Sequence, residues 1–158
     1  MLKLNIGCGG RQLDEYINID LNEPNTIHHD CKQQLPFEEN DITEIFSSHF
    51  IEHLWFNEFK KVLQDWKRVL KPKGRLVIWT PDYDVVHVKR NNIDWFQYRM
   101  FSKAIYPGSE HHAIYNFEML KKVLEDFGFV NVVRLDIGEF PWEGVHEDMN
   151  MGVCCFKT

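Results

Sequence analysis

No apolar run in this sequence approaches the roughly 18 residues that cross a bilayer, which argues against a helical membrane protein. The N-terminus reads as a strand and lacks the charged-then-apolar design of a signal peptide, so the expected location is cytoplasmic. Cysteines are few: Cys8, Cys31, Cys154 and Cys155 form no CxxC pair, which points to buried thiols and away from a disulfide framework. Adjacent Cys154 and Cys155 should face opposite sides of a strand. Basic residues are outnumbered 18 to 24, giving a net charge of -6, so no overall positive field draws the chain towards nucleic acid or an anionic membrane. Internal repeats and low-complexity tracts are also missing. What remains is 158 residues with 44% hydrophobic content, which suits a single domain over 1–158 with one core.

Strand-like runs recur near 2–6, 16–20, 26–30, 42–48, 75–80, 130–137 and 151–157, with helical segments between several of them, which predicts an α/β sheet covered by helices. One helix is expected over 56–70, where Phe56, Phe59, Val62, Leu63, Trp66, Val69 and Leu70 share a face and Lys-Pro-Lys-Gly follows. A second should run over 116–127, capped by Asn116, burying Leu120, Val123, Leu124 and Phe127, and stopped by Gly128. Only nine residues separate Gly7 from Tyr16, so the first crossover helix must be a single turn or absent. Residues 83–115 form an aromatic insertion, a candidate substrate lid, though its rings could equally pack as a satellite core or a dimer contact.

The chemistry concentrates near the start. Leu4-Asn5-Ile6-Gly7-Cys8-Gly9 is an apolar strand running into two glycines, and Asp20 closes the next apolar run. Glycines let the backbone turn tightly against a ligand, and a carboxylate ending the second strand can accept bonds from a ribose diol, the layout of a nucleoside site. A nicotinamide fingerprint would place a third glycine at position 12, where Gln12 stands, which weakens a dehydrogenase reading. Asp30 in His28-His29-Asp30-Cys31 and the Leu35-Pro36-Phe37 segment complete the pattern.

With these motifs the chain resembles the class I S-adenosylmethionine-dependent methyltransferases, particularly small bacterial and phage-type members. The resemblance runs from residue 2 to about 80, through Ser48-His49-Phe50-Ile51-Glu52-His53-Leu54 and Leu70-Lys71-Pro72-Lys73-Gly74-Arg75-Leu76, and resumes weakly in the last helix and strands. It implies a Rossmann-like sheet of about seven strands, mainly parallel with an antiparallel last strand. It implies S-adenosylmethionine as cofactor, with Gly7, Cys8 and Gly9 along its methionine portion and Asp20 on the ribose hydroxyls. Asp30 and Cys31 would meet the adenine edge, Leu21 and Leu35 its apolar faces, and Ser48 and His49 would close the pocket beneath the sulfonium. Asn5 stands where many relatives carry an acidic residue in the first strand, and it is counted with the cofactor residues.

Methyl transfer needs in-line alignment and, for a hydroxyl or protonated amine, a base. Loops at the carboxyl ends of the strands supply His49, His53, Asp82, His111, His112 and His146, of which His49, His112 and Asp82 are the catalytic candidates. Two other readings stay open. His49-Phe50-Ile51-Glu52-His53 matches the H-x-x-E-H pattern of inverted-motif zinc hydrolases, with Glu52 as general base. It follows a strand directly and no distant third ligand stands out, so no metal ligand is assigned. A non-catalytic S-adenosylmethionine-binding module is the other.

The segment 142–148 is locally acidic and could meet a cationic or polyol acceptor, or be a solvated loop. Ser48-His49-Phe50-Ile51 stands where amino-directed base methyltransferases often carry Asn-Pro-Pro-Tyr, and the Pro-Cys nucleophile of cytosine-C5 enzymes is absent. A nucleic-acid substrate is therefore not expected. The expected acceptor is a small molecule or sugar, methylated on oxygen or nitrogen, and apolar sheet surface near the first strand makes a homodimer a candidate assembly.

Overall fold

The computed structural model describes residues 1–88, 110–139, 141 and 149–158. Among these, seven strands form one sheet in the order β3-β2-β1-β4-β5-β7-β6. The strands are β1 (Leu2–Ile6), β2 (Ile17–Asp20), β3 (Ile27–His28), β4 (Ile42–Ser48), β5 (Leu70–Pro81), β6 (Phe129–Leu135) and β7 (Asn150–Lys157). The first five run parallel, and β7 is antiparallel to both of its neighbours, as the resemblance implies.

Leu4, Asn5 and Ile6 are all buried, which only a central strand covered on both faces requires. One face packs α1 (Phe56–Val69) and α3 (Phe117–Asp126) into the main core, where Trp66, Phe59, Leu63, Leu120 and Leu124 meet Leu4, Ile6, Ile45 and Ile78. Helix α1 begins where Glu58 reaches back to accept the Trp55 amide at 2.8 Å. Its buried face is the expected one except at Phe56 in the first turn, which is exposed, with the Lys60 ammonium over its ring. Asn116 caps α3 by accepting the Met119 amide at 2.9 Å, and Gly128 ends it at φ +77°.

The opposite face is smaller. Phe46, Val77, Trp79 and Cys154 pack there under Leu13, Tyr16, Leu135 and Phe156, while Cys155 joins the main core, so the two cysteines do separate across the sheet. No helix lies between β1 and β2. The loop that replaces it is held by side chains: Asn5 donates to the Arg11 carbonyl at 2.9 Å and to Asn18 Oδ1 at 2.8 Å. Asn18 Oδ1 in turn accepts the Leu13 amide at 2.9 Å.

The strands that depart most in length from expectation are β3 and β5. β3 shrinks to two exposed residues, which leaves His29 and Asp30 in irregular chain before the turn that starts at Cys31. β5 starts at Leu70 because that residue pairs with Ile42 across a register shift that absorbs Lys71 to Gly74, with Lys73 at φ +63°. A short helix, α2 (Tyr83–Val88), opens the segment expected as an aromatic insertion. Most of that candidate lid lies outside the described residues, as do His146 and the rest of 142–148. Among the described residues no helix is long and apolar enough to cross a membrane.

Candidate functional site

Because β1, β2, β4 and β5 are parallel, their last residues, Ile6, Asp20, Ser48 and Pro81, reach one end of the sheet. The β1–β2 ladder continues one step past β1: the Gly7 and Cys8 amides both donate to the Ile19 carbonyl, at 2.9 and 3.2 Å. Gly7 adopts φ +63°, and a Cβ there would stand 2.7 Å from the Phe50 ring, so both its conformation and its neighbour demand glycine. Gly9 adopts φ +50°, yet a Cβ there would meet nothing within 4 Å. The space in front of Gly9 is open, the kind of cradle a ligand occupies.

Asp20 borders that space. Its Oδ2 accepts the Gly9 amide at 2.9 Å, and its Oδ1 accepts the amides of Asn22 at 2.9 Å and Glu23 at 3.3 Å. Each carboxylate oxygen has two lone pairs, so capacity remains for a ribose hydroxyl. Leu21 beside it is 45% exposed, an uncovered apolar side chain at a strand end, whereas Leu35 is buried in the main core. Asp30 Oδ1 accepts the Lys32 amide at 3.0 Å and lies one residue beyond His29, whose amide bonds the Asp20 carbonyl at 3.0 Å. Cys8 and Cys31 are both buried. Burial, then the Asp20 charge, pushes the Cys8 thiol up to about 11, and burial pushes Cys31 up to about 12, so neither is a thiolate at neutral pH.

The turn after β4 forms the other wall. His49 continues the β4–β5 ladder by donating its amide to the Trp79 carbonyl at 2.9 Å, then takes φ +54°, a left-handed conformation in which a non-glycine residue is strained. This reversal places Phe50 against Gly7 and starts the 3-10 turn Ile51–His53. Glu52 is only 1% exposed and spans the turn: Oε1 pairs with His49 Nδ1 at 3.0 Å and Oε2 accepts from Thr80 Oγ1 at 3.1 Å. Burial alone would raise its pKa, but the His49 hydrogen bond and the nearby His49, His53 and His111 rings hold the carboxyl below its usual value. His49 Nε2 and Ser48 Oγ are covered and have no partner among the described residues. Buried polar atoms are rarely left so unless a ligand or water completes them.

The catalytic candidates are therefore not equivalent. His49 lies on the wall, with one ring nitrogen bound to Glu52. His112 is near it, its amide donating to the Glu52 carbonyl at 2.8 Å, but its ring lies flat on Trp55 with centroids 4.3 Å apart. Asp82 is fully buried and ion-paired with Arg134, and its Oδ1 accepts the Asp84 amide at 3.0 Å at the start of α2. Asn5 is committed to the loop that replaces the first helix. Sequence reasoning gave no special weight to His111, whose ring meets that of His53 edge-on at 4.9 Å. The signal for it was the H-x-x-E-H pattern, whose partner in a distant loop only the tertiary fold reveals.

The zinc-hydrolase geometry is not formed. That motif needs its two histidines on one face of a helix, whereas the 3-10 turn begins after His49 and leaves this residue outside it.

A family model described as a methyltransferase domain matches residues 4–78. Over that span the chain is similar to methyltransferase domains. The matched span carries Gly7, Gly9, Asp20 and the turn after β4. The fold agrees. A SAM-dependent methyltransferase from Archaeoglobus fulgidus superposes with a TM-score of 0.70 at 20% identity, covering 98% of this chain and 85% of that one. A possible histamine N-methyltransferase from Thermotoga maritima gives 0.68 at 16% identity, covering 99% and 82%. A phosphoethanolamine N-methyltransferase from Haemonchus contortus, in complex with phosphomonomethylethanolamine and S-adenosylhomocysteine, gives 0.61 at 14% identity, covering 99% and 49%. No curated protein is a significant match to the sequence.

The open space at Gly9, the Asp20 carboxylate beside it and the uncompleted atoms of Ser48 and His49 fit the groups that S-adenosylmethionine would present.

Proposed function

We propose that the protein transfers a methyl group to an oxygen or nitrogen of a small-molecule or sugar acceptor. The observation that carries this reading is the pairing of an open, glycine-lined space with the Asp20 carboxylate on one strand edge. In it, Gly7, Cys8 and Gly9 line the methionine portion of S-adenosylmethionine and Asp20 accepts a ribose hydroxyl through the remaining lone pair of Oδ2. Leu21, Asp30 and Cys31 border the adenine, Asp30 accepting from its amino group. When bound, the cofactor supplies an electrophilic methyl group on a sulfonium.

His49 is the proposed base. Glu52 accepts its Nδ1–H, which sets the tautomer and leaves the Nε2 lone pair for an acceptor proton. Ser48 Oγ completes the same wall. Asp82 serves as a structural joint between β5, α2 and β6, and His112 as a stacked wall residue, because their groups are engaged elsewhere. The acceptor enters between the loop after Pro81 and the segment before Asn116.

Calorimetry of the purified protein with S-adenosylhomocysteine and with NAD tests the binding half. The expected result is binding of the former and none of the latter. A radiolabelled methyl-transfer screen over hydroxyl and amine acceptors tests the rest. Cofactor binding with no turnover of any acceptor would leave a binding module.

A further inference from the structure

The turn after β4 and the segment before α3 are stitched together more firmly than a substrate loop requires. The His112 and Ala113 amides both donate to the Glu52 carbonyl, at 2.8 and 3.1 Å, and His53 Nδ1 meets the Glu110 carbonyl at 3.1 Å. These bonds bring one ligand atom from each of Glu52, His53 and His111 within 4.8 Å of one another. We propose that Glu52, His53 and His111 form a binding site for a divalent transition-metal ion of the zinc or cobalt class.

Three features support the assignment. The donor set is one carboxylate and two imidazoles, which suits a borderline cation with open positions, whereas Mg²⁺ prefers an all-oxygen shell. The supporting contacts are those that metal ligands need. A backbone carbonyl accepting His53 Nδ1–H leaves the lone pair on Nε2, and His49 and Thr80 hold the two oxygens of Glu52 in a fixed plane while each oxygen keeps a second lone pair. The carboxylate is also buried, and among the described residues no lysine or arginine bonds to it. Tetrahedral ligands at 2.0–2.2 Å from an ion lie about 3.4 Å apart, so the site would contract by up to about 1.4 Å on filling.

The ion would sit on the acceptor side of the turn that touches Gly7 through Phe50, and its open position would take an acceptor oxygen. That last placement rests on the methyltransferase reading; the ion site itself does not. It narrows the acceptor to molecules presenting a hydroxyl or carboxylate.

The test is titration of chelator-stripped protein with Zn²⁺ by calorimetry and with Co²⁺ by visible absorption. One equivalent of each should bind, Mg²⁺ in large excess should not displace them, and the cobalt spectrum should lack a thiolate charge-transfer band. His53→Ala and His111→Ala should each weaken binding at least about tenfold while S-adenosylhomocysteine affinity and the thermal melt stay near wild type, which separates loss of the site from loss of the fold. Failure of the wild type to bind Zn²⁺ or Co²⁺, displacement by Mg²⁺, a thiolate band, or undiminished binding in the His53→Ala/His111→Ala double variant would each overturn the proposal. Wild-type protein that binds Zn²⁺ at these residues but not S-adenosylhomocysteine would instead overturn the methyltransferase reading and leave the ion site standing.

Discussion

Substituting the two glycines by alanine should separate folding from cofactor binding. Gly9→Ala places a Cβ at φ +50° in open space, so its cost to the protein alone is the left-handed backbone penalty of about 1–2 kcal/mol. For a chain of this size that is a fall in Tm of roughly 2–8 °C. The same methyl group occupies the proposed methionine channel, so affinity for S-adenosylhomocysteine should fall at least about tenfold, or ~1.4 kcal/mol. Gly7→Ala carries the same backbone penalty and adds a 2.7 Å clash with Phe50, an overpacking term of about 1–3 kcal/mol. It should be the less stable variant by several degrees. Differential scanning fluorimetry without ligand and calorimetry with S-adenosylhomocysteine measure both quantities on the same samples. If Gly9→Ala binds S-adenosylhomocysteine as tightly as wild type, the open space is not the cofactor's; if the two variants melt together, the packing argument at Phe50 is wrong.

Asp20→Ala should weaken S-adenosylhomocysteine by about 1–3 kcal/mol, because the ribose loses a charged hydrogen-bond acceptor; unchanged calorimetric affinity would remove Asp20 from the site. His49→Ala should slow methyl transfer about 10²- to 10⁴-fold with cofactor affinity nearly intact, and normal turnover would mean that proximity alone drives an acceptor already deprotonated. Arg134→Ala should cost about 1.5–3 kcal/mol in urea denaturation, since it strips the charged partner from the buried Asp82, and a change within error would show that water replaces it. Cys31 is raised from 9.0 to about 12, so the neutral thiol is favoured in the folded state and its stabilising contribution is present below pH 9 and lost as pH rises towards 12. The denaturation midpoint should therefore fall above pH 9, and less steeply in Cys31→Ser.

The sheet, both long helices and the glycine–Asp20 layout were legible because each is a local pattern: apolar periodicity, a cap, or a strand running into glycine. What escaped depends on distant pairing. Nothing in Leu70 announces that it joins Ile42, so β5 begins five residues earlier than its apolar run suggests. Phe56 fits the helical stripe but is exposed, because periodicity fixes a face and not what covers its first turn. Asp82 and His112 sit at the right ends of the right elements, yet Arg134 and Trp55 claim their side chains across long sequence separations. His111 joins His53 only because backbone bonds to Glu52 draw its segment in.

The two-residue β3 has a consequence for kinetics. The strand that ends in Asp20 has β1 on one side and on the other only a fragment whose two residues are exposed. Such margins open with little free energy, so amides of 20–30 should exchange hydrogen far faster than those of β1 and β4. A bound nucleoside that bridges Asp20 to Gly9 would tie this margin to the rigid centre of the sheet. Release of spent cofactor would then be timed by fraying of the sheet edge, and the slowest step of a catalytic cycle could belong to a strand that touches no methyl group.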